Sequence, residues 1–192
     1  MGEDLEHTTP EGQATPALAQ LRVKWAINTS DIMAGKTFGA GHQGCQTVWD
    51  IDGDGINEII FGTRRGDSKR LWCFDANQNL EWIYPPMSQD GLPGDPISKV
   101  SLVDVKKDGR YELCLAGRGG RLHVIDGHGQ VVWTWDNPNT GMGADMIGAP
   151  QALDVDGDGF AEFFLEDLAG DMHKVSHDGR LVWTSSQCRK GN

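Results

Sequence analysis

An all-β chain of repeated four-stranded units is what this sequence predicts, on three observations. Glycine supplies 26 of the 192 residues, and there are 7 Trp against 2 Tyr, a balance that suits many tight turns between short strands with recurring aromatic positions. Three stretches of the chain align, their first aspartate recurring after 54 and then 50 residues. Within each stretch, short apolar or alternating runs are separated by Gly, Asn or Asp corners, which is the pattern of hairpin-linked strands.

The elements follow in order within each unit. A first strand, A, runs into Asp50-Ile51-Asp52-Gly53-Asp54-Gly55-Ile56-Asn57-Glu58, into Asp104-Val105-Lys106-Lys107-Asp108-Gly109-Arg110-Tyr111-Glu112, and into Asp154-Val155-Asp156-Gly157-Asp158-Gly159-Phe160-Ala161-Glu162. Strand B follows as Ile59-Ile60-Phe61, Leu113-Cys114-Leu115 and Phe163-Phe164-Leu165. After a Gly-containing turn, strand C is Leu71-Trp72-Cys73-Phe74-Asp75, Leu122-His123-Val124-Ile125-Asp126 and Met172-His173-Lys174-Val175-Ser176. Strand D ends in Trp82, Trp133 or Trp183, each seven residues after Asp75, Asp126 or Ser176.

Four antiparallel strands of this length cannot bury both faces alone. Units of about 40–50 residues with four strands stack radially as β-propeller blades, each covering its neighbour. The blades are predicted at about 46–85, 100–136 and 150–186, within one domain over 20–192. Residues 20–28, with Leu21-Arg22-Val23-Lys24-Trp25, repeat strand D without the strands before it and are expected as an orphan strand. Residues 1–19 are polar, contain two Pro, and are expected to form a flexible tail. A closed ring needs about four blades or more. Three blades and one strand are therefore expected to self-associate through open edges, as a dimeric ring or a filament.

Charge narrows the function classes. With 17 Lys and Arg against 28 Asp and Glu, the net charge is −11, which repels phosphate backbones and anionic lipid surfaces. No run approaches the ~18 apolar residues of a membrane span, and the N-terminus shows neither the basic nor the apolar region of a signal peptide. Neither nucleic-acid binding nor membrane insertion is expected. Cys45, Cys73, Cys114 and Cys188 have no CxxC or zinc-ligand spacing. Cys73 and Cys114 fall on core-facing strands and are expected to be buried, whereas Cys45 and Cys188 flank the blades and are candidates for a bridge across a junction.

The carboxylate excess is concentrated in the A–B loops. In the first, Asp50, Asp52 and Asp54 at positions 1, 3 and 5 curl around one small volume, Gly55 permits the turn, Ile56 offers a carbonyl, and Glu58 closes the shell at position 9. Hard oxygens in that number fit Ca²⁺, which takes about six to eight at ~2.3–2.6 Å. The third loop repeats the set as Asp154, Asp156, Asp158, the carbonyl of Phe160, and Glu162. The second keeps Asp104, Asp108, the carbonyl position of Arg110, and Glu112, but carries Lys106 at position 3. Its ammonium takes the place of a cation, so that site is expected to be vacant or weak. Repetition once per blade points to a structural clip, without which the crowded carboxylates repel and the corner loosens.

These loops resemble the FG-GAP, or VCBS-type, repeats of calcium-binding propellers, including those of integrin α subunits, over roughly residues 46–186. The resemblance extends to Phe61-Gly62 after the first loop and Gly148-Ala149-Pro150 before the third. It implies a propeller with Ca²⁺ in the A–B loops, an extracellular or cell-surface setting, and adhesion or ligand binding. The sequence is similar to the propellers of rhamnogalacturonan lyases as well, which implies the alternative of a polysaccharide lyase-type enzyme acting on pectic polysaccharide. No Ser/His/Asp order, phosphate-cradling loop or paired acids outside the A–B loops is present, and a non-enzymatic calcium-binding adhesion module with a protein or carbohydrate ligand is the expectation.

Other signals are weaker. Arg65-Gly66-Asp67-Ser68 occupies a B–C turn, and His128 and His177 occupy C–D turns, where solvated turn residues are expected. Trp25, Trp82, Trp133 and Trp183 recur once per unit and are read as inter-blade packing; Trp72 and Trp135 break the period and are read as exposed aromatics for a sugar or partner. Asn28-Thr29-Ser30 is a glycosylation sequon. The loops 86–99 and 136–149 are long and rich in Gly and Pro, the place for a binding surface.

Overall fold

A computed structural model describes residues 38–39, 46–62, 65–66, 70–85, 99–117, 119–139, 143 and 145–186. Among these, every element is a strand. The first sheet contains β2 (Gln46–Trp49), β3 (Glu58–Gly62), β5 (Leu71–Phe74) and β6 (Leu80–Tyr84) in that spatial order. The second contains β7 (Lys99–Val103), β8 (Glu112–Ala116), β9 (Arg121–Ile125) and β10 (Val131–Asp136); the third contains β11 (Met146–Leu153), β12 (Glu162–Asp167), β13 (Met172–Val175) and β14 (Leu181–Ser185). Each sheet is an antiparallel meander, as its short hairpin loops require. A further pair joins β1 (Phe38–Gly39) to β4 (Arg65–Gly66). Arg65 and Gly66 therefore belong to a strand pair and not simply to a turn, whereas Asp67 and Ser68 lie outside the described residues. So do the expected tail, the orphan strand with Trp25, the sequon, Cys45, Cys188, and most of 86–99.

Strand alternation sends side chains to both faces, and both are used. From the first sheet, Ile51, Ile60, Leu71, Cys73 and Tyr84 pack against Leu113, Leu115 and Ile125 of the second. The second sheet turns Val105, Cys114, Leu122, Val124 and Trp135 towards Phe163, Leu165 and Val175 of the third. Full burial of such a side chain contributes about 1.5–3 kcal/mol, so the two interfaces, and not any single sheet, hold the molecule together. Cys73 and Cys114 are free and buried within them. On its other face the first sheet buries Trp72 and Phe74 against Phe61 and Ile83.

Two aromatic expectations are corrected here. Trp72 is fully buried and Trp135 is 6% exposed, so neither offers a platform for a sugar. Trp72 lies on a central strand, and Trp135 leans on the buried ring of His173 in the next sheet, 5.3 Å between centroids. Their departure from the repeat period marks a changed core position.

Trp82 and Trp133, the strand D tryptophans of the first two sheets, bridge to the next sheet, whereas Trp183 of the third, expected to pack in the same way, is 38% exposed. Trp82 donates its Nε1–H to the carbonyl of Gly127 at 2.8 Å, and its ring covers Gly129, where a Cβ would stand 2.9 Å from the indole. Trp133 covers Gly179 in the same way, at 3.0 Å, and meets Phe163 edge-on with centroids 5.2 Å apart. Gly129 and Gly179 also adopt φ of +73° and +81°, a region that L side chains disfavour. Turn conformation and close approach thus both demand glycine at these two C–D corners.

Candidate metal centre

The A–B loops are shaped by their own carboxylates. Asp50 accepts from the amides of Gly53 at 2.8 Å and Gly55 at 3.0 Å, and Asp154 does the same for Gly157 and Gly159 at 2.7 and 2.9 Å. Asp104 holds the amides of Asp108 and Gly109 at 3.1 and 3.0 Å. The position 9 glutamate, at the start of strand B, reaches back to the loop's second residue: Glu58 to the Ile51 amide, Glu112 to Val105 and Glu162 to Val155, at 2.9, 2.9 and 3.0 Å. These bonds satisfy backbone donors that the turn would otherwise leave unpaired.

Carboxylate oxygens converge in two of the three loops. Asp50, Asp52 and Glu58 place one oxygen each within 4.8 Å of one another, and so do Asp154, Asp156 and Glu162. The remaining acids of the motif serve the turn: Asp54 accepts from the Ile56 amide at 2.7 Å, Asp158 from Phe160 at 2.8 Å and Asp108 from Arg110 at 3.0 Å. In the second loop Lys106 places its Nζ 3.1 Å from Glu112 Oε1.

Crowding is visible in the acidities. Burial pushes the Glu58 carboxyl up, the Ile51 amide offsets part of that, and Glu81, Asp52 and Asp54 add to the rise. The Glu162 carboxyl raises Asp156, while Glu162 itself is lowered, first by the Val155 amide and then by Asp156 and Lys174. Negative charge is thus gathered at one point in the first loop and at one point in the third, where an oxygen-seeking cation would relieve it.

One participant was not legible in the loop motif. Lys174, from β13, lies 3.1 Å from Glu162 Oε1 and 3.7 Å from Asp156 Oδ2 and is largely buried. In the first sheet the matching position is Cys73, whose thiol donates to Glu81 at 3.3 Å, and burial pushes that thiol well above its ordinary range. The first and third sites therefore share a carboxylate triad but differ in the side chain beneath it.

A second constellation has no signature in the sequence motifs. Asp167 and Asp171 are buried at the B–C corner of the third sheet. Asn137 and Asn139, from the segment leaving β10, donate to Asp167 at 2.9 and 2.8 Å, Asn139 also reaches Asp171 at 2.9 Å, and His173 Nε2 lies 3.2 Å from Asp167. Burial raises the Asp167 carboxyl, but these donors together with the Asp171 amide outweigh it and leave it below the usual carboxylate range. Saturated by short-range donors, this knot ties the connection between two sheets.

A shallow crevice of about 260 Å³ opens where the first and second loops meet, lined by Trp49, Asn57, Arg110 and Tyr111 among others. Trp49 and Tyr111 meet edge-on there at 5.2 Å.

Solved structures with this arrangement are β-propellers. BBS1N, from its complex with ARL6DN, matches with a TM-score of 0.55 and 11% identity over 81% of this chain and 50% of its own. A europium-containing methanol dehydrogenase matches at 0.52 with 13% identity, over 83% of this chain and 28% of its own. The quinohemoprotein alcohol dehydrogenase from Comamonas testosteroni matches at 0.50 with 16% identity, over 78% and 21%. The fold is that of propeller blades. The chain spans from about a fifth to half the length of these three solved chains. At these identities the fold alone is shared, and dehydrogenases stand beside a protein in a complex, so the fold does not decide whether this chain is an enzyme. No family model matches the chain, and no curated protein matches it.

Proposed function

We propose that the chain is a calcium-binding propeller module of the FG-GAP type, non-enzymatic and extracellular, that clips its blades with Ca²⁺ and binds a protein partner through blade surfaces. The observation that carries this reading is the carboxylate triad repeated at equivalent corners of the first and third sheets. All the converging groups are carboxylate oxygens, which favours a hard cation over zinc, and the open loop suits the flexible shell of Ca²⁺ better than the strict octahedron of Mg²⁺. The carbonyls of Ile56 and Phe160, and the acids Asp54 and Asp158 on rearrangement of their turn bonds, would complete the two shells. The loop with Lys106 would stay empty, its charge met from within. BBS1N is described in complex with ARL6DN, which agrees with a propeller working through a protein partner.

Isothermal titration with Ca²⁺ tests the cation reading. Two sites are expected, one lost in Asp52→Asn and the other in Asp156→Asn; no saturable heat, or equal binding by the double variant, overturns it. Calcium-dependent turnover of a pectic polysaccharide would overturn the non-enzymatic reading.

A further inference from the structure

The crevice between the first and second A–B loops carries side chains that blade packing does not require. Trp49 closes strand A of the first sheet, and Arg110 and Tyr111 hold positions 7 and 8 of the second loop. At the next junction the same three positions are Val103, Phe160 and Ala161. Phe160 there lies on His177 of its own sheet, 4.3 Å between centroids. That junction is packed without a paired aromatic or a cation at its loops.

The first junction leaves its aromatic pair in solvent. Trp49 is 41% exposed and Tyr111 38%, and their planes stand 71° apart, so the two rings form an angled apolar wall. The Arg110 side chain lies across the first loop, its Nε 3.8 Å from where a Cβ on Gly53 would stand. Among the described residues no carboxylate pairs with its guanidinium, whereas Lys106, Arg121, Lys174 and Arg180 each meet one. Asp50 also lines the crevice, but its two oxygens accept from the Gly53 and Gly55 amides. Asn57 adds an exposed amide to the lining. A guanidinium presents its N–H donors in a fork that fits a carboxylate, and the wall beside it fits an aliphatic side chain. Trp, Tyr and Arg are also the side chains that dominate binding energy at protein interfaces.

We propose that this crevice receives a segment of a partner protein that presents one carboxylate, from Asp or Glu, beside an aliphatic side chain. The carboxylate meets Arg110, and the aliphatic group lies on Trp49 and Tyr111. At about 260 Å³ the space falls just under the ~300–1,000 Å³ of small-molecule pockets, which suits a pair of side chains from a docked segment. Arg110 is the one cationic residue in the lining, and the chain carries a net charge of −11. A polysaccharide with a carboxylate on every repeat would be repelled by that field. The proposal rests on the reading of the chain as a partner-binding module and names where and how it binds.

Proton–nitrogen NMR of the whole chain at fixed calcium tests this, with blocked dipeptides as probes and Trp49→Phe to assign the Trp49 indole. Acetyl-Leu-Asp-amide is expected to shift the Trp49 indole N–H and the Arg110 Nε–H saturably. Acetyl-Leu-Asn-amide should bind about tenfold more weakly, because the charge-assisted pair with the guanidinium is lost. Arg110→Gln should bind both peptides alike and keep the parent's urea midpoint, since its side chain gives up no ion pair. Equal binding of the two peptides by the parent, an undiminished preference in Arg110→Gln, or no saturable shift overturns the proposal. Galacturonic acid shifting the same two signals at lower concentration than the Asp peptide also overturns it, in favour of a sugar ligand. Peptide shifts confined to other surfaces overturn this site while leaving the partner-binding reading in place, and the calcium titration is independent of all these outcomes.

Discussion

Lys174 shows how a single side chain separates two otherwise equal loops. Its ammonium, 3.1 Å from Glu162, must be displaced or moved aside before a cation can use that carboxylate, whereas Cys73 at the matching position in the first sheet carries no charge to displace. Lys174→Met is therefore expected to tighten calcium at the third loop, as read by titration in the Asp52→Asn background, and to leave the first loop unchanged, as read in the Asp156→Asn background. Lys106→Asp should likewise create a third site from Asp104, Asp108 and Glu112. The role of Lys106 was readable because it stands inside the motif; that of Lys174 was not, because it lies outside the motif on the next strand but one and only cross-strand register brings it beneath the loop. His123 gives a pH test. Burial, with the nearby charge of Arg121, holds its pKa down to about 4, against ~6.5 in an unfolded chain. Between those values the unfolded state binds the extra proton, so stability is fully present above pH ~6.5 and declines as pH falls towards ~4, by on the order of 3 kcal/mol. Urea unfolding across that window should show the slope in the parent, and His123→Gln should flatten it.

The corners, more than the strands, distinguish one element from another. Each A–B loop is closed by a carboxylate that turns its own chain, and this much follows from Asp and Gly at fixed spacing. Each C–D turn ends in a left-handed residue, and here the sequence is only half informative. Gly129 and Gly179 read as turn glycines, but that each is also the floor beneath a tryptophan from the preceding sheet appears only in three dimensions. Gly129→Ala should cost about 1–3 kcal/mol, more than the same change at Gly157, which has the same left-handed backbone but open space around it. Denaturation midpoints of the two variants decide this. The Asp167–Asn137–Asn139–Asp171–His173 knot was missed at this scale for the same reason. Its members come from a linker and a hairpin 30 residues apart, and no local spacing announces them.

At the scale of the whole molecule, three sheets share two interfaces, and the first and third sheets carry the carboxylate triads. With a net charge of −11, taking the proposed calcium from each triad would add to an existing repulsion, so chelation is expected to lower the thermal midpoint. Added NaCl should restore part of the loss by screening the exposed carboxylates. Amide exchange should then speed up first at the A–B corners of the first and third sheets and least in the second, where Lys106 already answers Glu112. Repetition, strand pattern and loop spacing were determined by the sequence alone, because each is set by neighbours along the chain: alternation chooses strands, glycine and aspartate choose corners, and a register that recurs three times chooses blades. What only the tertiary structure decided is which side chains face which sheet. It buried Trp72 and Trp135 where their broken period had put them in solvent, set Lys174 under the third loop, and left Val155 and Trp183 without the neighbour that Ile51 and Trp82 have. Those outcomes depend on contacts between strands, paired within a sheet or packed between sheets, and one face of a sheet is core only if something arrives to cover it.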